Sequence, residues 1–212
     1  MSDKQDLRVV TPAFRVSFPN VFKPRASFKD QDPTYNIQML FPENGEYPKD
    51  LKTSDGKPIN LTKFGTDLKP LKRAMAAACK AKWGEKENWP KFKHKAIRNG
   101  TEEKSELDQY KGMLFINAKS KFKPGVIDYD QREILDESEF FAGAWARATL
   151  NVYTYDNSFG KGVQFGLQNI QLLAHDDSLA GKKNAKDDFD VIDGFDEDIE
   201  GEGFDDEEEL DF

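Results

Sequence analysis

Between Asp187 and Phe212 the chain carries fifteen acidic side chains and no Lys or Arg. This stretch constrains folding most, because it takes 26 residues out of any packed structure. Phe189, Val191, Ile192, Phe195, Ile199, Phe204, Leu210 and Phe212 are scattered through it without a period of 2 or 3.6, so it has no face to bury. Ordering a backbone costs roughly 1–2 kcal/mol per residue, and nothing here repays that; the segment is expected to be disordered. Setting it aside changes the charge of the remainder. The whole chain is −8, but residues 187–212 contribute −15. Residues 1–186 hold 31 basic and 24 acidic side chains, a balance of +7. A basic body joined to an acidic tether is the pattern to be explained.

The body is long enough for one domain with a sizeable core, taken as 1–176, with a lysine-bearing linker at 177–186 and the tail at 187–212. One cysteine, Cys79, excludes an internal disulfide. One Cys with two His, His94 and His175, is too few for the usual zinc site, and no metal or other cofactor is expected. No apolar run approaches the ~18 residues that cross a membrane. The start, MSDKQDLRVV, lacks the apolar core of a signal peptide. These features predict a cytoplasmic protein with no membrane partner.

Phe, Val, Ile and Tyr broken by turn residues predict a mainly β fold. In LRVVTPAFRVSF (7–18), Val10, Phe14, Val16 and Phe18 share a face, with Pro12 marking an edge or bulge. PNVFKPRASFKDQDP reads as a loop. TYNIQMLF then puts Tyr35, Ile37, Met39 and Phe41 on one side and Asn36 and Gln38 on the other. Residues 42–65 form a long connection, and 66–83 are the one strong helix. Thr66 or Asp67 would cap it, Pro70 would stand in its first turn and Gly84 at its end. Its apolar stripe is Leu68, Leu71, Met75, Ala78 and Cys79, the cysteine serving as a small core residue. KFKHKAI (91–97) is a further expected strand. In GMLFINAKSKFKPG the core face is Leu114, Ile116 and Ala118, leaving Phe115, Asn117, Lys119 and Lys121 outward, with Phe122 and Lys123 beyond. In FFAGAWARATLNVYTYD, the alternate residues from Ala144 to Val152 supply a small inward face, and Trp145, Arg147, Tyr153 and Tyr155 the other. NSFGKG is a hairpin turn into the closing strand, where Gly166 marks a bulge or tight barrel bend. Five or six strands with one helix fit an OB-type barrel.

Rings alternating with Lys and Arg on a solvent-side strand face suit single-stranded nucleic acid. Unpaired bases stack on aromatic side chains at roughly 1–3 kcal/mol each, while cations neutralise phosphates. The expected phosphate contacts are Lys91, Lys93, Lys119, Lys121, Lys123 and Arg147. The expected stacking residues are Phe115, Phe122, Trp145, Tyr153 and Tyr155. The other reading of these rings is burial under loops of a closed barrel. Two other functions stay open: a protein-interaction or chaperone-like module that never touches DNA, and a metal-dependent nuclease using Asp128, Asp130 and Glu133 at DxDxxE spacing.

The order of YNIQMLFP, the Lys/Ala-rich helix, WARATLNVYTYDN, GKG, VQFGLQNIQLLAHDD and an acidic end closing on Asp211-Phe212 resembles phage-encoded replication single-stranded-DNA-binding proteins. That resemblance implies an OB fold and sequence-independent coating of single strands in DNA replication, recombination or repair, inside the infected host cell. It also implies that the tail contacts a replicative polymerase or helicase. Asp205, Asp206, Glu207, Glu208, Glu209 and Asp211 would supply charge and Phe212 an apolar plug. The acidic tether could also fold back into the body's groove and compete with DNA. Monomer and homodimer both remain open.

Overall fold

The computed structural model describes residues 7–26, 32–158 and 160–179. Among the described residues, eight strands build one sheet. They are β1 (Arg8–Val10), β2 (Phe14–Arg25), β3 (Thr34–Pro42), β4 (Arg98–Asn99), β5 (Met113–Ser120), β6 (Gly125–Ile127), β7 (Trp145–Asn157) and β8 (Gly160–Ala174). Five of them close on themselves. β2 pairs β3 and β3 pairs β5, both antiparallel; β5 pairs β8 in parallel; β8 and β7 form a long antiparallel hairpin, and β7 returns to β2. This circuit is an OB-type barrel, with β1, β4 and β6 added at its margins.

The interior follows the alternation in the sequence. Phe14, Val16, Ile37, Met39, Phe41, Ile116 and Ala118 are buried, as are the alternate residues from Ala146 to Val152 and Phe165, Leu167, Ile170 and Leu172. Helix α1 (Lys69–Trp83) packs on this core through Leu71, Ala78 and Cys79. The helix starts three residues later than expected, and its N-cap is Leu68, with no side-chain cap, rather than Thr66 or Asp67. Asp67 Oδ1 accepts the Lys69 N–H at 2.7 Å just outside it, Pro70 lies in the first turn, and Gly84 closes the helix with φ 77°. Burial pushes the Cys79 thiol pKa up.

Four further expectations need correction. β2 runs on to Arg25, so the expected loop begins later. Val10 and Phe18 are 52% exposed rather than inside. For Phe18 the cause is a bulge between Ser17 and Asn20, whose extra residue switches the inward parity from Phe14 and Val16 to Val21. Residues 91–97 form no strand; only Arg98 and Asn99 pair with β5. Their lysines stay in water while Phe92 packs on Trp83, with ring centroids 5.7 Å apart. The long connection 42–65 is a second small core, in which Leu51, Ile59 and Leu61 close over Trp145.

Gly166 stands where β5 meets β8, and the register shift in β8 follows two residues later, opposite Thr149 and Leu150. Residues 177–179, the described part of the expected linker, lie on the barrel. The Leu179 N–H donates to the Ala142 carbonyl at 2.8 Å, and Arg15 Nη2 donates to the Asp177 carbonyl at 3.1 Å. The acidic stretch 187–212, with its partner-binding residues from Asp205 to Phe212, lies outside the described residues, as do Phe28 and Lys29.

Candidate nucleic-acid interface

A cavity of about 410 Å³ opens on the outer face of β3 and β5. Cross-strand pairing puts Asn36 beside Lys119 and Gln38 beside Asn117. These four polar side chains stand opposite the buried Ile37, Met39, Ile116 and Ala118, so the strand alternation that fills the barrel also makes the floor polar. One wall is the irregular segment His94–Ala96 with Arg98; the other is Tyr155 and Gln164 on the β7–β8 hairpin. Lys93 reaches the hairpin tip, its Cβ 3.7 Å from where a Cβ on Gly160 would stand. Strands in these positions, with the β7–β8 hairpin beside them, belong to the oligonucleotide face of OB folds.

Tyr155 has a built seat. A Cβ on its cross-strand partner Gly162 would fall 2.7–2.8 Å from the phenol ring and its hydroxyl, so the ring lies flat on glycine backbone. Tyr153 leans on Gly166 in the same way, at 3.4 Å, and its hydroxyl donates to Gln164 Oε1 at 3.0 Å. The amides of the floor are held too: Asn20 Nδ2 donates to Asn36 Oδ1 at 3.0 Å, and Lys104 Nζ to Gln38 Oε1 at 2.9 Å. Tyr110 also bonds Gln38 through its hydroxyl, which shares a 2.9 Å hydrogen bond with Ser17 Oγ. Arg98 is paired with Glu103.

The expected site residues divide. Lys119 and Tyr155 line the cavity and Lys93 borders it. Lys91 is exposed in the same segment as Lys93. Lys121, Phe122 and Lys123 are exposed in the turn after β5, beyond the Ser120–Tyr35 pair that ends the cavity's floor, and Phe122 is 83% exposed. Tyr153 is partly exposed on the hairpin.

Three expectations are corrected. Phe115 does point outward from β5, but Tyr110 stands edge-on over it at 5.4 Å and the Arg98 guanidinium lies 4.7 Å from its centroid, so no free ring face is left. Trp145 is sealed under the 42–65 connection, edge-on to Tyr47 at 5.5 Å, and its Nε1 donates to Asp176 Oδ2 at 2.9 Å. Arg147 lies over the Phe64 ring at 4.8 Å and donates to Gln171 Oε1 at 2.9 Å, at the far end of the hairpin from Tyr155. A neighbouring turn covers Phe115 and the 42–65 connection covers Trp145 and Arg147, which alternation alone does not reveal.

Asn36, Gln38, Asn117, Lys95, Arg98 and Gln164 also line the cavity, beyond the residues expected from sequence. The available signal was the polar parity of β3 against β5. The DxDxxE carboxylates are engaged differently from the nuclease reading: Asp130 pairs with Arg132 at 2.8 Å and Asp128 Oδ1 accepts the Arg132 N–H at 2.8 Å. Among the described residues no three His, Cys, Asp or Glu come together as metal ligands, and no helix is long and apolar enough to cross a membrane.

Comparison with known proteins agrees with this architecture. Protein p50 of Acyrthosiphon pisum secondary endosymbiont phage 1 is 26% identical over 179 residues, 79% of this chain and 83% of that protein. The single-stranded DNA-binding protein of bacteriophage Enc34, solved in complex with ssDNA, superposes with a TM-score of 0.64 at 18% identity, covering 82% of this chain and 90% of that one. Bacteriophage T7 gp2.5, a single-stranded DNA binding protein, gives 0.50 at 13% identity, covering 84% and 97%. The model of the family described as Enterobacter phage Enc34, ssDNA-binding protein, matches residues 59–202. With well over half its length matched, this chain belongs to the Enc34 phage ssDNA-binding protein family.

Proposed function

We propose that the chain binds single-stranded DNA without regard to sequence along the groove over β3 and β5. The observation that carries this reading is the seating of Tyr155 on Gly162, beside Lys119 and a floor of amides. A base stacks on the exposed part of the phenol ring. Lys119, Lys93 and Lys95 take neighbouring phosphates, and Asn36, Gln38 and Asn117 meet sugar or base edges in whatever order bases arrive. Lys91, Lys121, Lys123, Phe122 and Tyr153 extend the contact at the groove's ends. Duplex DNA, with its bases already stacked, has no use for the ring. Phe115, Trp145 and Arg147 act in packing.

Beyond binding, the reading extends to coating single strands during phage DNA replication, recombination or repair in the infected host cell. The tail supports it by composition alone: Asp205, Asp206, Glu207, Glu208, Glu209, Asp211 and Phe212 suit a basic, apolar-floored pocket on a replicative polymerase or helicase. A tether of −15 beside a body of +7 would also compete with DNA for the groove. A gel shift comparing oligo-dT, duplex and RNA tests the binding, run with and without residues 187–212. Tight oligo-dT binding that weakens steeply with salt supports it. Absence of an oligo-dT complex at low salt, even without the tail, removes it.

A further inference from the structure

The outer face of β2 carries a ring that the barrel does not need. Phe18 is 52% exposed, while Phe14 and Val16 on the same strand are fully buried. It leaves their side at the bulge, where its φ is 44°, a left-handed value that disfavours a bulky side chain. Asn20 fixes that turn, its Nδ2 donating to the Phe18 carbonyl at 3.3 Å and to Asn36 Oδ1 at 3.0 Å. An apolar ring turned into water on a strained backbone fits contact with a ligand better than packing.

A cation stands against it. Lys104 Nζ lies 5.2 Å from the Phe18 centroid and 4.4 Å from that of Tyr110. It donates to Gln38 Oε1 on the groove floor at 2.9 Å, so ring, ammonium and groove are continuous. Burial, helped by the Arg98 charge, holds the Lys104 pKa below the usual lysine value. An arriving anion would relieve that cost.

We propose that Phe18 and Lys104 form a second nucleotide subsite. A base stacks on the free face of Phe18 and Lys104 meets the adjoining phosphate, so that the strand leaves the groove past Gln38 and crosses β2. This rests on the groove being the single-stranded DNA interface.

The test titrates full-length protein with oligo-dT of about 16 nucleotides, the upper site size for one OB fold. It compares the wild type, Phe18→Leu, Phe18→Trp and the groove double variant Lys119→Ala/Tyr155→Ala, with Tm measured for each. Leucine keeps the bulk and removes the ring face. Phe18→Leu is expected to weaken binding about 5- to 150-fold, the equivalent of one base stack, at unchanged Tm. Phe18→Trp is expected to keep its affinity and to add DNA-dependent quenching beyond that of Trp83, Trp89 and Trp145. If Phe18→Leu binds within twofold of wild type while the double variant loses affinity, the groove stands and the subsite falls. If the double variant binds as wild type does, the groove reading falls and takes the subsite with it. Should leucine lower the Tm, the tryptophan variant decides: no added quenching overturns the proposal.

Discussion

Tyr155 owes its position to a missing side chain. With Gly162 across the hairpin its ring lies against backbone, and a methyl group there would overlap the far end of the phenol, which can swing away. Gly162→Ala is therefore expected to lift Tyr155 off its seat at little cost in Tm while lowering oligo-dT affinity several-fold; paired melting and titration curves check both. Tyr47 illustrates a structural phenol. Its hydroxyl shares its one proton between the carbonyls of Gly65 at 2.8 Å and Ala13 at 3.1 Å, and burial pushes its pKa up to about 12 from 10.0. Between those values the fold retains a proton that the unfolded chain has released. Stability tied to Tyr47 is present below about pH 10 and is lost as pH rises toward 12. Melting at pH 9 and 11 should show a drop in the wild type and a smaller one in Tyr47→Phe, whose lower starting Tm reflects the lost hydroxyl contact to the two carbonyls.

At the level of elements, the β7–β8 ladder and helix α1 were legible because local pattern and tertiary role coincide. Small residues alternating from Ala144 to Val152 have one sensible destination, and Pro70, Gly84 and the Leu68–Cys79 stripe mark a helix against a core. Phe115, Trp145 and Phe18 depart from the alternation reading for two different reasons: the first two are covered, and the third sits at a bulge. Strand alternation says which side a residue takes, not whether another segment covers that side. Tyr110 covers Phe115 and residues 42–65 cover Trp145, while a single extra residue in β2 turns Phe18 outward. The floor amides were visible in parity but carry no charge or ring to draw notice. Coverage predicts stability. Trp145→Ala should cost about 3–5 kcal/mol, as for other buried large aromatics, and Phe122→Ala less than about 0.5 kcal/mol. Denaturant unfolding of both variants measures the contrast, and comparable losses would mean that the turn after β5 is packed.

Across the whole molecule, charge is segregated along the chain: +7 before residue 187 and −15 after it. For the body this predicts binding dominated by counterion release, with log affinity falling linearly against log salt at about 0.7 per phosphate neutralised on a single strand. Lys119→Ala should lower that slope by about 0.7 and weaken binding for every sequence alike, which titrations of oligo-dT and a mixed-sequence oligomer at several salt concentrations would read. The cavity lies on the outer face of β3 and β5 in the closed ring β2–β3–β5–β8–β7. The location of the strand is the central claim. Photocrosslinking with iodouracil-substituted oligo-dT, followed by peptide mapping, reports it directly. Adducts are predicted on Tyr155 and within residues 92–98. Adducts confined to surfaces away from β3 and β5, such as the exposed Tyr129 loop, would contradict the account.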